Sequence, residues 1–311
     1  MKRIIITGGS GLVGTAIREI SHKYSEYEFV YISTREFDLR SMEKTREMFE
    51  LYKPNYVIHL AACVGGLFKN MSDKVKMLED NLMINFNVVK CSHEYKVEKL
   101  IACLSTCIFP DNTSYPINET MLHNGPPHTS NDAYAYAKRM LHIQCKAYRD
   151  TYGDNFVCVI PTNVYGPNDN FNLLEGHVIP SLIHQCYLAV HDGGVFVVKG
   201  SGKPLRQFIY SEDLAELIMW VLRNYDDELL ILSVPEINEV SISDIAKLIA
   251  KHIGYNDRII YDERYSDGQY KKTADNRLLQ ELYGIYNFKN IDEGIRKTVE
   301  WFVLNYTKTR K

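Results

Sequence analysis

Apolar residues in this chain gather into short runs, separated by longer stretches in which they recur every three or four positions. The runs at 3–7, 29–33, 56–61, 99–104 and 156–160 predict strands, and the periodic stretches 12–24, 41–52, 73–96 and 132–152 predict helices. Such alternation argues for a parallel, doubly wound α/β sheet of the Rossmann type. Ser130-Asn131-Asp132 supply an N-cap for the last of these helices. After Pro161-Thr162-Asn163-Val164-Tyr165-Gly166-Pro167 the pattern changes to the turn-rich Asn168-Asp169-Asn170 and then to mixed short elements. A first domain over 1–165 and a smaller α/β domain over 166–311 are expected. Arg206 to Ala215 reads as a strand entering a helix, so the segment around 206–225 is expected to return to the first domain. No internal repeat, low-complexity segment or flexible linker interrupts the chain.

The first strand runs directly into Gly8-Gly9-Ser10-Gly11-Leu12-Val13-Gly14, and a helical pattern follows at once. Strand, glycine loop and helix in that order let the backbone approach a pyrophosphate at a helix N-terminus, where free N–H groups favour negative charge. The spacing is G-x-x-G-x-x-G. The second strand ends in Ser33-Thr34-Arg35-Glu36-Phe37-Asp38. An acidic residue here would bind the 2′-hydroxyl of NAD, and an arginine the 2′-phosphate of NADP. Arg35 favours NADP, Glu36 is the competing signal, and Asp38 is placed near the adenine.

Tyr134 and Lys138 stand four apart on a predicted helix and therefore on one face. A phenol gives up its proton reluctantly near neutral pH, and a neighbouring ammonium is expected to lower its pKa. Ser105-Thr106-Cys107 follows the fourth strand, at the carboxyl edge where open α/β sheets bind ligands. Ser105 can donate to a substrate carbonyl beside Tyr134. Cys107, two residues on, is a candidate base, and His177, ahead of the apolar turn Val178-Ile179-Pro180, a candidate acid. The set describes a reductase with additional acid/base groups.

Composition narrows the setting. The chain has 311 residues, of which 45% are apolar and 24% charged, ordinary for a globular protein of one large or two joined domains. A net charge of −3 leaves no electrostatic footprint for nucleic acid or an anionic membrane. No apolar stretch approaches the ~20 residues of a membrane span, and residues 1–15 read as strand and loop, so a cytoplasmic protein is expected. Seven cysteines without C-x-x-C spacing point to reduced thiols, with neither disulfides nor a zinc site. The histidines show no metal-ligand pairing. Sequons at Asn112, Asn118 and Asn305 read as chance.

Over essentially all its residues the chain resembles the GDP-L-fucose synthase family, within the extended short-chain dehydrogenase/reductases. The glycine loop and Tyr134/Lys138 mark only the broad group. Ser105-Thr106-Cys107-Ile108-Phe109-Pro110, Pro161 to Pro167, His177-Val178-Ile179-Pro180, Gly200-Ser201-Gly202, Arg206-Gln207-Phe208 and Ser266-Asp267-Gly268-Gln269-Tyr270-Lys271-Lys272 carry the closer likeness. The resemblance implies NADPH as hydride donor and a GDP-4-keto-6-deoxy sugar as substrate. It implies Ser105, Tyr134 and Lys138 as the reductive triad, with Cys107 and His177 as epimerisation base and acid. Cofactor contacts are implied for Gly8, Ser10, Gly11, Leu12, Val13, Gly14, Arg35, Asp38, Leu60, Ala61, Ala62, Tyr134, Lys138, Pro161, Asn163, Val164 and His177. Substrate contacts are implied for Asn163, Gln185, Lys199, Arg206, Asp267 and Lys272. Lys199 stands where the family usually has an aromatic residue, and Gln185 where relatives often have a basic one. The family also implies a homodimer built on segments 73–96 and 132–152. A 4-epimerase, a 4,6-dehydratase or a non-catalytic NADP-binding regulator of the same fold are the competing readings.

Overall fold

In a computed structural model, which describes residues 1–66 and 69–311 in full, the apolar runs form one six-stranded parallel sheet. Its strands are β1 (Lys2–Thr7), β2 (Tyr27–Ile32), β3 (Tyr56–His59), β4 (Lys99–Cys103), β5 (Phe156–Pro161) and, after β6 (Asn163–Tyr165), β7 (Val197–Lys199), β8 (Leu205–Arg206) and β9 (Phe208–Tyr210), β10 (Leu229–Leu232). The order is β10-β5-β4-β3-β1-β2, parallel at every pairing. The chain builds outward in one direction from β1 to β2 and in the other from β3 onward. The switch between β1 and β3 opens a crevice at their carboxyl ends, where ligands bind in such sheets.

The strands are apolar along most of their length because both faces are covered, with polar residues such as Lys2, Thr7, His59 and Lys99 at their ends. Ile5, Val57, Leu100, Ala102, Phe156, Cys158, Ile160 and Ile231 point to one face, which helices Met42–Tyr52, Lys74–Glu94 and Asp132–Tyr152 cover. Ile4, Ile6, Ile58, Ile101, Val157, Val159, Leu230 and Leu232 point to the other, which helices Leu12–Ile20 and Ser211–Asn224 cover. That is the period-2 alternation of a strand, with each large aliphatic side chain contributing roughly 1.5–3 kcal/mol by burial. A third core, with Tyr165, Phe171, Ile183, Phe196, Ile249 and Phe302 among its members, fills the second lobe. Around it lie three two-stranded pairs: β6 with β9, β7 with β12 (Ile260–Asp262), and β8 with β11 (Val240–Ser241).

Some local expectations shift. The strand expected over 56–61 stops at His59, because Leu60 and Ala61 turn their N–H groups to the Thr7 hydroxyl, each at 3.1 Å. Asn131 occupies the N-cap of helix Asp132–Tyr152 without a side-chain cap bond. Asp132 caps instead, accepting from Ala133 N at 2.8 Å, while Ser130 pairs with His128. His177 heads the helix Val178–His191 rather than a turn. Past helix Ser211–Asn224 the chain continues in the main sheet as β10, beyond the segment 206–225.

Candidate active site

The loop after β1 shows why its glycines stand where they do. Gly8 has φ +68, and a Cβ on it would lie 2.9 Å from Ala61 N. Gly9 and Gly14 leave even less room, with Tyr31 Cβ at 2.7 Å and Gly8 O at 2.6 Å. On Gly11, by contrast, a Cβ would approach only Gly8 O, at 3.2 Å, so that side of the loop is open where helix Leu12–Ile20 begins. Open backbone beside a helix N-terminus fits a dinucleotide pyrophosphate. Ser10 is exposed at the loop tip, Leu12 and Val13 are half-buried at the helix start, and Ala62 follows the turn after β3.

At the end of β2 the three candidate polar groups separate. The Glu36 carboxylate accepts from Ser33 N at 2.9 Å and Ser33 Oγ at 2.8 Å, which closes the turn and withdraws it from a ribose. Asp38 is clamped by Arg40 at 2.7 Å, and the guanidinium hydrogen bond holds its carboxyl below the usual range. Its expected place near the adenine thus competes with an internal ion pair. Arg35 is exposed and, among the described residues, makes no hydrogen bond or ion pair.

Beneath the loop lies a polar network that the sequence reading missed. Leu60 N and Ala61 N donate to Thr7 Oγ1, so the Thr7 hydroxyl hydrogen goes to His59 Nδ1 at 2.8 Å. His59 Nε2–H then donates to Asn85 Oδ1 at 3.1 Å, and Asn85 Nδ2 to Ala137 O in helix Asp132–Tyr152. Only a neutral imidazole satisfies this chain. Burial, and next the Lys138 charge, pull the His59 pKa down to about 3. The unfolded imidazole titrates near 6.5. The stability from this site is therefore whole above about 6.5 and falls as pH drops towards 3, by up to about 1.4 kcal/mol per pH unit. Urea midpoints should fall less through that window in His59→Leu than in the parent. Equal slopes would mean that the folded chain tolerates the charged ring.

After β4, Ser105 caps the short turn Thr106–Ile108, its hydroxyl accepting from Cys107 N at 3.5 Å. Cys107 is 9% exposed. Burial pushes its thiol pKa up, opposed first by the Lys272 ammonium, next by Ser105 and then by Lys138. Tyr134 is half-buried on helix Asp132–Tyr152, with Lys138 Nζ 5.9 Å from its ring centroid. The ammonium was expected to lower the phenol pKa, and it does not. Burial raises it well above its usual value, and the thiols of Cys107, Cys103 and Cys63 add to the rise. Lys138, 2% exposed, instead donates to Cys103 O at 2.7 Å, and burial lowers its own pKa. In effect Lys138 ties the helix to the end of β4, and Tyr134 is held in its proton-bearing form.

His177 is exposed at the head of its helix. The loop that carries it folds on itself through Asn172 Oδ1, which accepts from Leu174 N and Glu175 N, both at 2.9 Å. It is also fastened to the first lobe. Gly66 N donates to Glu175 O at 2.8 Å, Lys69 pairs with Glu175 at 3.0 Å, and a Cβ on Gly66 would lie 2.5 Å from Gly176 O. Near the same loop the buried carboxyl of Asp169 has its pKa raised by burial, against the pull of His177.

Further along, Asn163 Nδ2 donates to Gln207 O at 2.9 Å, between buried Pro161 and half-buried Val164. Arg206 was expected to reach a nucleotide, yet its guanidinium donates to backbone carbonyls of Leu205, Gln269 and Tyr270, and burial lowers its pKa. Asp267 likewise closes onto Ser201, accepting from its N at 2.7 Å and Oγ at 2.6 Å. Lys199 Nζ lies 5.1 Å from the Tyr265 ring centroid, so an aromatic ring stands beside the position where the family has its own. Gln185 is half-buried on helix Val178–His191. Lys272 is half-buried, and burial lowers its pKa while Cys107 raises it.

Comparison with known proteins gives the family. The NAD dependent epimerase/dehydratase family matches residues 4–231. The chain is 50% identical to the GDP-L-fucose synthase of Dictyostelium discoideum, over 100% of this chain and 98% of that one. It is 46% identical to a probable GDP-L-fucose synthase of Drosophila melanogaster, over the whole of both. The fold is similar to a crystal structure of a Naegleria fowleri GDP-L-fucose synthetase bound to NADP. There the TM-score is 0.94 at 45% identity, over 100% of this chain and 95% of that one.

Proposed function

The chain belongs to the NAD dependent epimerase/dehydratase family, among the GDP-L-fucose synthases, and on that footing we propose that it converts GDP-4-keto-6-deoxy-D-mannose to GDP-L-fucose with NADPH. The observation that carries the reading is the meeting of Ser105, Cys107, Tyr134 and Lys138 at the carboxyl edge of β4, in the sheet whose β1 ends in the glycine loop.

The C4 ketone acidifies the protons on C3 and C5. Cys107 removes them, with the Lys272 and Lys138 charges favouring its thiolate, and His177 returns protons from the opposite side. Ser105 and Tyr134 donate hydrogen bonds to the enolate oxygen, which carries most of the developing charge. When bound, NADPH supplies the hydride for C4. Tyr134 gives its proton to the C4 oxygen, and its raised pKa keeps that proton in place until an alkoxide, a stronger base, forms. Gly8, Ser10, Gly11, Leu12, Val13 and Gly14 hold the pyrophosphate, and Arg35 the 2′-phosphate. Leu60, Ala61, Ala62, Pro161, Asn163 and Val164 line the rest. Asn163, Gln185, Lys199, Arg206, Asp267 and Lys272 form the GDP-sugar side. For Arg206 and Asp267 this requires exchange of their internal partners.

In this reading residues 1–165, with the segment around 206–225 and the strand β10, are the cofactor lobe and the rest of 166–311 the substrate lobe of a cytoplasmic homodimer. Exposed Val75, Met83 and Phe86 on helix Lys74–Glu94, and Tyr136, Met140 and Ile143 on helix Asp132–Tyr152, support pairing through these two helices. None of the helices among the described residues is long and apolar enough to cross a membrane.

Incubation with NADPH and the keto-sugar nucleotide tests the whole reading. GDP-L-fucose identified by NMR supports it, and a product unaltered at C3 and C5 points to a simple reductase. NADPH should be preferred over NADH by at least about tenfold in kcat/KM. Charge-assisted bonds from Arg35 to the 2′-phosphate are worth roughly 1.5–3 kcal/mol, and each 1.4 kcal/mol is about tenfold. Arg35→Ser should remove most of that preference. Equal efficiency of both donors in the parent would assign Arg35 to the solvent.

A further inference from the structure

Helix Asp132–Tyr152 touches the turn that bears Ser105 and Cys107 at both of its ends. Lys138 donates to Cys103 O at 2.7 Å, before the turn, and Arg139 Nε donates to Ile108 O at 2.5 Å, one residue past Cys107. These neighbours on one helix therefore hook the segment on either side of Cys107. Arg139 is 8% exposed, unusual for an arginine, and its Nη2 is buried without a partner. Burial lowers its pKa, while Tyr136 and Cys107 oppose the fall, and its guanidinium also lies 5.7 Å from the Tyr136 ring centroid. A buried cation with an unsatisfied donor is costly, and among the described residues its one hydrogen bond goes to Ile108 O.

We propose that Arg139 is a positioning residue for the epimerisation half of the reaction, fixing the Thr106–Ile108 turn so that Cys107 addresses the sugar. The proposal rests on the reading of Cys107 as the base. The reductive groups are held at the other end of the turn, where Lys138 engages Cys103 and Ser105 follows β4. Loss of the Arg139 bond frees the Cys107 end first. The two half-reactions can be read apart. Proton exchange at C3 and C5 is followed by deuterium incorporation from heavy water. Hydride transfer alone is followed in reverse at alkaline pH, as GDP-L-fucose gives its C4 hydride to NADP⁺ and its hydroxyl proton to the phenolate form of Tyr134.

Arg139→Met should lower exchange about tenfold or more, since a displacement of about 1 Å can cost on the order of a hundredfold, while reverse hydride transfer stays within about threefold. Arg139→Lys, which keeps a charged donor able to reach Ile108 O, should recover most of the exchange. If Arg139→Met does not fold, Arg139→Gln, which keeps a neutral donor, is read the same way with a smaller loss. Parallel loss of both half-reactions, failure of Arg139→Lys to recover exchange, or no loss at all would overturn the proposal. In each case the parent must exchange deuterium and Cys107→Ser must not. If the parent fails to exchange, or Cys107→Ser exchanges normally, it is the assignment of Cys107 that falls, rather than that of Arg139.

Discussion

Cys107→Ser should cut deuterium incorporation at C3 and C5 by roughly 10²–10⁴-fold, the range over which a positioned acid or base contributes. A serine hydroxyl is a far weaker base than a thiolate at any accessible pH. The substitution is nearly isosteric and leaves Ser105, Tyr134 and Lys138 with their bonds, so the fold and the reductive groups persist. Slow reduction of the unepimerised ketone is then expected, giving a 6-deoxy sugar of unchanged C3 and C5 configuration. The pH dependence adds a second check. Burial raises the thiol pKa, so exchange by the parent should climb as pH rises through the neutral range, with Lys272 and Lys138 limiting how far it must climb. Normal incorporation in Cys107→Ser would make Cys107 an ordinary packed thiol.

Tyr134→Phe should do the opposite. Without the phenol proton the C4 oxygen has no donor among the groups around it except Ser105, so NADPH oxidation should fall by about 10²-fold or more in kcat. Proton exchange should survive in part, because Cys107 and His177 remain and Ser105 still holds the enolate oxygen. The raised pKa of Tyr134 implies that it carries its proton throughout the neutral range. The pH profile of reduction should therefore show no loss from Tyr134 ionisation there. A Tyr134→Phe variant that reduces normally would move the proton donor elsewhere, and one that loses both activities equally would make Tyr134 chiefly a binding group.

The sheet was legible because its strands are covered on both faces and therefore read as short, mostly apolar runs. The long helix Asp132–Tyr152 was legible to the residue because its periodicity runs the whole length and Gly153, with φ +74, ends it. By contrast, Leu229–Leu232 is four apolar residues with no period to mark it as a strand, and only pairing with β5 makes it one. The candidate groups could be named from spacing, since Tyr134 and Lys138 share a helix face and Ser105 and Cys107 follow a strand. Their electrostatics could not. Whether Lys138 turns to Tyr134 or to Cys103 O is decided by the distance between a helix and a strand that are far apart in sequence. The same holds for Asp267, which Ser201 holds across the substrate lobe, whereas Asp38 and Glu36 are taken up by the near neighbours Arg40 and Ser33, a choice set by the turn after β2. Arg139 carried no signal at all, because an arginine after a helical lysine reads as a solvated surface residue.

The place of β10 has a consequence for how the protein is made. During synthesis β5 emerges as a strand whose residues will all be buried, yet the neighbour it pairs with on its outer side comes only after most of the substrate lobe's first half has been translated. Until residue 232 leaves the ribosome, that edge presents unpaired N–H and C=O groups beside Val157 and Val159, the kind of edge on which another chain can dock. The nascent chain therefore cannot finish its first lobe and then begin its second. The long-range pairing of β5 with β10 slows folding and delays completion of the sheet until the chain has been translated through residue 232.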